Sequence, residues 1–324
     1  MSKAEIIICT EGGYLESSSK CLVDSFRKFA GKYKDTPIIS YQPRKDHRIS
    51  RDTKKFFERN DVEIIDLNLN KNYCDYPLAN KPLITAHRES VSSADILIFL
   101  DSDTFFINEP GELFDFEDAE AVLRPTDYKS LGTDNAGDRN NFYWDSLYKQ
   151  LDVKIKRYTT TTVSNEKILE YYNTGHIAAL TEKQLFQQWL INFNRIMETG
   201  LKPKNRIFIE QTVFSATVSQ MELKVKQFSK GYNYPLSHKY KILNPDYFVK
   251  DPSHLVSIHY HRLFKRPLFH SSRTKKILNS EKGKEINEML IKYGVKKQFS
   301  FFSKLKHLFY FKFKRKLNKL SKRL

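Results

Sequence analysis

Apolar and polar positions alternate between two periods along the first third of the chain. Ile6 to Thr10, Pro37 to Tyr41 and Val62 to Leu67 are short apolar stretches bounded by polar or turn residues, the pattern of strands. Leu22, Val23, Phe26 and Phe29 recur at helical spacing, and the pattern around Phe56 and Phe57 does the same between the next two strands. Glu11-Gly12-Gly13-Tyr14 after the first strand predicts a tight turn. A further helix is expected to open at Asn80-Lys81-Pro82-Leu83, with proline near its first turn, where a missing N–H costs little. Ile96 to Leu100 is an unbroken apolar run, the signature of a strand buried on both faces, and Glu120 to Pro125 adds one more strand. This alternation predicts an α/β fold: a mostly parallel sheet with covering helices. Beyond it, residues 126–165 read as polar loops around a helix near Phe142 to Leu151. Gln184 to Met197 is an amphipathic helix striped by Leu185, Trp189, Leu190, Phe193 and Ile196, and Ile207 to Val218 is another.

A different periodicity closes the sequence. Phe302, Leu305, Phe309, Phe313, Leu317, Leu320 and Leu324 recur every three or four residues, with Lys304, Lys306, Lys312, Arg315, Lys319 and Lys322 largely off the stripe. That is a basic amphipathic helix, which suits the interface of an anionic membrane. Charge follows the same division: removing the eleven Lys and Arg of residues 296–324 from the formal +17 leaves +6 for residues 1–295. The expected organisation is therefore a catalytic unit over 1–290 and a membrane-association tail over 296–324. With 40% apolar and 14% aromatic residues in 324, the chain is long enough to bury a sizeable core. No nucleic-acid-binding motif accompanies the positive charge, so nucleic acid is not an expected partner. Cys9, Cys21 and Cys74 lie far apart and form no CxxC pair, which fits a reducing compartment. The start of the chain lacks a long apolar leader, and no run approaches the roughly 20 apolar residues that span a bilayer. The expected location is cytoplasmic, peripheral on the inner face of the membrane.

Candidate chemistry begins where the buried run ends, at Asp101-Ser102-Asp103. On a strand, residues i and i+2 project to one side, so the two carboxylates should point together at the carboxyl edge of the sheet, where α/β proteins bind ligands. Their mutual repulsion calls for a cation, and a divalent ion with a diphosphate satisfies it; a wet strand end is the plain alternative. The glycines form neither a dinucleotide-binding Gly-x-Gly-x-x-Gly fingerprint nor a P-loop. A phosphatase of the haloacid-dehalogenase type has a similar aspartate pair but wants Thr or Val two residues beyond the second, where Phe105 stands.

Three later stretches join the pair: Asn173-Thr174-Gly175 after two tyrosines, Glu210-Gln211 opening a helical pattern, and Ser257-Ile258-His259-Tyr260-His261 followed by Lys265 and Arg266. In that order the sequence resembles the GT-A glycosyltransferases, closest to the glycogenin-like and galactosyltransferase-like retaining enzymes of family 8, over about residues 4–268. The resemblance implies a nucleotide-sugar donor, UDP-linked, and manganese or magnesium held by Asp101, Asp103 and His259. It places Lys265 on the diphosphate and Asn173 and Gly175 against the donor sugar, with Glu210 and Gln211 as the catalytic pair. Thr10 and Tyr14 fall where the family contacts the uridine; Lys81 and Ser102 complete the expected donor site. The acceptor would be a cell-surface glycan, a lipopolysaccharide-type glycan or a lipid-linked one. Of His259 and His261, one is expected to be the metal ligand. Arg262 stands where the family has glycine, and Arg266-Pro267-Leu268 replaces its Pro-Trp. The non-enzymatic alternative is a GT-A fold kept as a membrane-binding scaffold.

Overall fold

The computed structural model describes residues 3–236, 251–261, 263–265, 267, 270–307 and 309–310. In chain order, its first strands and helices are β1 (Ala4–Cys9), α1 (Tyr14–Phe29), β2 (Ile38–Tyr41), α2 (Arg51–Arg59), β3 (Val62–Ile65), α3 (Asn80–Val91) and β4 (Ile96–Leu100). Next come β5 (Thr104–Phe106), β6 (Ala121–Pro125), α4 (Asn141–Leu151), β7 (Tyr158–Thr160), β8 (Lys167–Leu169) and β9 (Tyr172–Leu180). The remainder is α5 (Leu185–Thr199), α6 (Ile209–Gln220), β10 (Val225–Gln227), β11 (Tyr234–Pro235), β12 (Ser257–His259), α7 (Ser272–Asn279) and α8 (Glu281–Lys292).

The apolar run 96–100 behaves as its composition dictates: all five side chains are buried, and alternation divides them between the two faces of the sheet. Leu97 and Phe99 enter one core with Trp144, Trp189 and Phe214 from α4, α5 and α6; Ile96, Ile98 and Leu100 enter another with Leu22, Phe26 and Phe57 from α1 and α2. Complete burial of one such side chain is worth about 1.5–3 kcal/mol, so both faces of this strand anchor the fold. The seven strands lie in the order β10-β6-β9-β4-β1-β2-β3. Pairings β1–β2, β1–β4, β2–β3 and β6–β10 are parallel, whereas β9 runs antiparallel to both β4 and β6. A mostly parallel sheet with helices on both faces is the α/β, GT-A plan the sequence predicts.

A second sheet matters more for chemistry. In it β12 pairs antiparallel with β5, setting His259 opposite Thr104 and Ser257 opposite Phe106, and β11 flanks β12. Its core gathers Phe105, Ile258, Tyr260 and Phe264 with Ile277, Ile286 and Leu290 of α7 and α8. Tyr293 continues that attachment, donating to Asp24 Oδ2 at 2.6 Å and stacking edge-on against Phe56. Residues 301–307 are helical, as the C-terminal periodicity predicts, with Phe301 and Phe302 exposed at 62% and 80%. The rest of that expected helix, including Lys312, Phe313, Arg315, Leu317, Lys319, Leu320, Lys322 and Leu324, lies outside the described residues, as do Arg262, Arg266 and Leu268.

Candidate active site

The strand β4 stops at Leu100, and Asp101-Ser102-Asp103 forms a turn that hands the chain from the large sheet to the small one. Three segments fix this turn. Asp101 N donates to Gly175 O at 2.8 Å, Ser102 Oγ to Cys9 O at 2.6 Å, and Tyr260 N to Asp103 O at 3.1 Å. The strand-end geometry expected for the two aspartates is therefore corrected. Instead of projecting together, they reach different partners across one cavity of about 520 Å³.

Asp101 meets Lys81, whose Nζ lies 2.9 Å from its Oδ1 and 3.3 Å from both Thr174 O and Thr174 Oγ1. Lys81 is buried at the first turn of α3, and Glu210 Oε1 approaches it at 3.8 Å. Burial works against the ammonium charge, but the carboxylates of Asp101 and Glu210 outweigh it and hold the Lys81 pKa above the ordinary lysine value. For Glu210 burial dominates and lifts its pKa to about 7, with Lys81 pulling the other way. Glu210 is only 2% exposed and accepts from the Thr174 hydroxyl at 3.1 Å, so its carboxylate braces Lys81 from beneath. Of the expected catalytic pair, Glu210 is committed to Lys81 and Thr174, whereas Gln211 borders the cavity.

Asp103 meets His259. The His259 Nε2 lies 2.9 Å from Asp103 Oδ1, and Nδ1 lies 2.9 Å from Asn233 Oδ1. Asn233 Nδ2 donates to Asn173 Oδ1 at 3.0 Å, and Gly175 N donates to the same oxygen at 2.7 Å. That relay fixes the amide so that its oxygen faces the imidazole, which places a proton on His259 Nδ1 and leaves Nε2, here hydrogen-bonded to Asp103, as the nitrogen that could give up its proton to a metal. Gly175 is required beneath the ring, because a Cβ there would stand 2.8 Å from Asn173 Oδ1 and 3.1 Å from His259 Cε1.

The expectation that only one of the two histidines can face the metal is also corrected. The strand ends at His259, and His261 adopts a left-handed backbone with φ 47° that curls its ring back to 3.8 Å from the His259 ring, centroid to centroid. One ligand atom each from Asp103, His259 and His261 falls within 4.8 Å of the others, a mixed oxygen and nitrogen set able to hold a metal ion. Without a metal, burial disfavours charge on His259, but Asp103 more than compensates and raises its pKa. Desolvation likewise opposes the Asp103 carboxylate, and His259 holds its pKa below the usual range.

The remaining expected residues divide. Tyr14 and Lys265 meet at the rim, with the Lys265 Nζ 3.0 Å from the Tyr14 ring centroid, and Asn173 and Gly175 line the same cavity. Thr10 does not line it. Its side chain is fully buried, donating to Ser19 Oγ and accepting from Ser40 Oγ, both at 2.8 Å, because it points from the end of β1 toward the opposite face. Ser102 borders the cavity, but its hydroxyl is committed to Cys9 O, so it staples the turn to β1. His261 was expected only as the alternative to His259; Asn233 carried no expected role, and neither did Glu11, buried beside the cavity and bonded by Arg44 Nε at 2.7 Å and Asn80 Nδ2 at 3.0 Å. A carboxylate directly after a buried strand was the legible signal for Glu11; a lone asparagine between two tyrosines offered none for Asn233.

Residues 6–222 match the family described as the Rhodobacterales glycosyltransferase domain. Among curated proteins none matches the sequence. Among solved structures, the apo form of the bifunctional glycosyltransferase WbbM superposes with a TM-score of 0.50 and 14% identity over 89% of this chain. The chain spans 52% of that protein, about half its length. The galactosyltransferase LgtC, solved with donor and acceptor sugar analogs, superposes with a TM-score of 0.49 and 13% identity over 92% of this chain and 98% of LgtC.

Proposed function

The chain belongs to the Rhodobacterales glycosyltransferase domain family, and from that premise we propose a metal-dependent transfer of a hexose from a UDP-sugar to a glycan or glycolipid acceptor, with retention of configuration. One observation carries the reading: a single cavity brings the Asp103, His259 and His261 cluster together with the buried Lys81 ammonium and the rim pair Tyr14 and Lys265. The donor set fits manganese better than magnesium, which favours all-oxygen shells and keeps much of its water. When bound, such an ion would offset negative charge growing on the departing diphosphate.

The chain's own residues supply the rest. Lys81 keeps a positive charge at the floor of the cavity, fixed by Asp101 and Glu210, where little water competes for it. Lys265 offers a second cation to the diphosphate, and the Tyr14 ring beneath it offers a face for the base. Gln211 presents an amide toward the sugar, where its oxygen can stabilise oxocarbenium character. Asn233 keeps the Nδ1 proton of His259 in place, so Nε2 is the nitrogen left for the metal.

The reading extends to location: a catalytic unit over 1–290 held at the cytoplasmic face of a membrane by residues 296–324. Phe301, Phe302, Phe309 and Tyr310 are exposed beside Lys304 and Lys306, an apolar and cationic surface suited to anionic lipid. No helix among the described residues is long and apolar enough to cross a membrane. Thermal shift and nucleotide release with manganese and a panel of sugar nucleotides test the proposal. The expected result is one UDP-sugar that stabilises and is turned over only with metal, both responses lost in Asp103→Asn. A chain indifferent to every donor would instead be a GT-A scaffold.

A further inference from the structure

A second cavity, of about 270 Å³, is separate from the donor site. Phe264 lines it while its neighbour Lys265 lines the donor cavity, and the other walls include His270, Lys296, Lys297, Phe299 and Lys304. Among the described residues that line it none is acidic, and three carry ammonium groups. Lys296 is half-buried, donates to Asn287 Oδ1 and lies 5.9 Å from the Phe264 ring centroid. Burial, then the nearby Lys304 ammonium, lowers the Lys296 pKa. The His270 ring lies 5.6 Å from the same Phe264 ring, and its Nδ1 is shielded from solvent with no hydrogen-bond partner among the described residues. Burial, then Lys296 and Lys304, lowers the His270 pKa to about 4, so the ring is neutral at pH 7. Gathered ammonium groups and an unpaired ring nitrogen, with no carboxylate among the described lining residues, describe a site whose missing partner is an anion.

We infer that this cavity binds a phosphate group, monoester or diester, held by Lys296, Lys297 and Lys304, with His270 Nδ1 donating a further hydrogen bond. At about 30 Å³ per water its volume equals roughly nine waters, enough for a phosphate and the first atoms it is esterified to. Lysine ammonium groups and a ring N–H match its oxygens, forming charge-assisted bonds. The phosphate could arrive as the headgroup of a membrane lipid, since the same segment leads into the exposed Phe301 and Phe302, or as a free phosphate. This site does not depend on the donor cavity transferring sugar.

The test uses the full chain with chelator present, titrated with inorganic phosphate against chloride at equal ionic strength and followed by thermal shift. Phosphate should stabilise the chain saturably. The half-saturating concentration should rise roughly tenfold or more in Lys296→Gln/Lys304→Gln, which loses two charge-assisted bonds, and should stay unchanged in Lys265→Ala. Removing like charges from a cavity should not unfold the protein; His270→Phe, which removes the ring nitrogens and keeps the three lysines, is the second variant and should weaken phosphate in the same direction. The inference fails if phosphate acts no better than chloride, if it stabilises both pocket variants as it does the wild type, or if only Lys265→Ala loses the effect. Flotation with phosphatidylglycerol in phosphatidylcholine vesicles separates the sources. Release of the chain from vesicles by free phosphate assigns the cavity to a headgroup, whereas vesicle binding untouched by a phosphate that still stabilises the chain assigns it to the free ion.

Discussion

Asn233 touches neither donor nor metal in this proposal, yet it decides whether His259 can act as a ligand. Replacing it with glycine isolates that role. Asn233 sits at φ 46°, a backbone conformation that alanine would strain and glycine accepts, and its backbone N–H donates to Ser257 Oγ whatever the side chain. What Asn233→Gly removes is the acceptor for His259 Nδ1–H and the donor to Asn173 Oδ1. Both partners are buried, with His259 at 5% and Asn233 at 3% exposure, so water does not readily replace the bond. Freed of it, the imidazole can place its proton on Nε2 or rotate away from Asp103. Loss of such an orienting partner costs about 10- to 100-fold in metal affinity, or roughly 1.4–2.8 kcal/mol. Manganese titration followed by electron paramagnetic resonance of the free ion reads that loss directly. Asn233→Asp, which restores an acceptor to Nδ1, should recover most of the affinity while Asn233→Gly does not. Equal affinities for wild type and Asn233→Gly within about twofold, or an aspartate variant as weak as the glycine one, would refute the orienting role.

Lys81→Met removes the cation shared by Asp101 and Glu210; breaking a buried ionic cluster in this way costs on the order of 3–5 kcal/mol and should lower Tm by roughly 4–7 °C, measured by circular dichroism. The companion change Glu210→Gln should recover part of that loss, because it removes one of the two uncompensated carboxylates. Glu89 accepts from Gln187 N at 2.7 Å and Phe186 N at 3.3 Å at the start of α5, yet burial lifts its pKa to about 7. An acid whose folded pKa is raised binds protons more tightly when folded, so its contribution to stability is complete below about pH 4.5 and declines as pH rises toward 7. Glu89→Gln should therefore be more stable than wild type at pH 8 and lose that advantage below pH 5, as read from urea midpoints. Gly175→Ala should force the His259 ring aside and weaken manganese binding with little change in Tm under chelation, since the clash is with a side chain at the cavity edge.

The large sheet was legible because its signals are local. An unbroken apolar run such as Ile96 to Leu100 is buried on both faces whatever surrounds it, and the stripe of Leu185, Trp189, Phe193 and Ile196 makes α5 an amphipathic helix on its own. Strand ends were less legible: Thr10 was expected in the site because it ends the first strand, where the resembled family contacts the uridine, but the direction of a side chain one residue past a strand depends on where the turn goes. Here the turn carries Thr10 into hydrogen bonds with Ser19 and Ser40 and leaves Glu11 at the cavity.

The aspartate pair shows the limit more sharply. Strand periodicity would aim Asp101 and Asp103 the same way, and that rule holds only while the strand continues. The chain instead leaves the large sheet at Asp101 and enters the small one at Thr104, so each carboxylate faces a different sheet's partner: Lys81 from α3 for the first, His259 from β12 for the second. That second sheet exists because Ser257 to His259 pairs with Phe106 to Thr104, strands separated by some 150 residues, and no window of sequence carries such a pairing. The order of motifs along the chain could name His259, but not Asn233 behind it, nor that His261 joins His259 instead of replacing it. Both depend on residues at positive φ, Asn233 at 46° and His261 at 47°, whose side chains are turned toward the site by backbone conformations that periodicity does not anticipate. The proposed metal cluster is therefore a product of the junction between two sheets, and variants that loosen the β5–β12 pairing should weaken metal binding even where every ligand is kept.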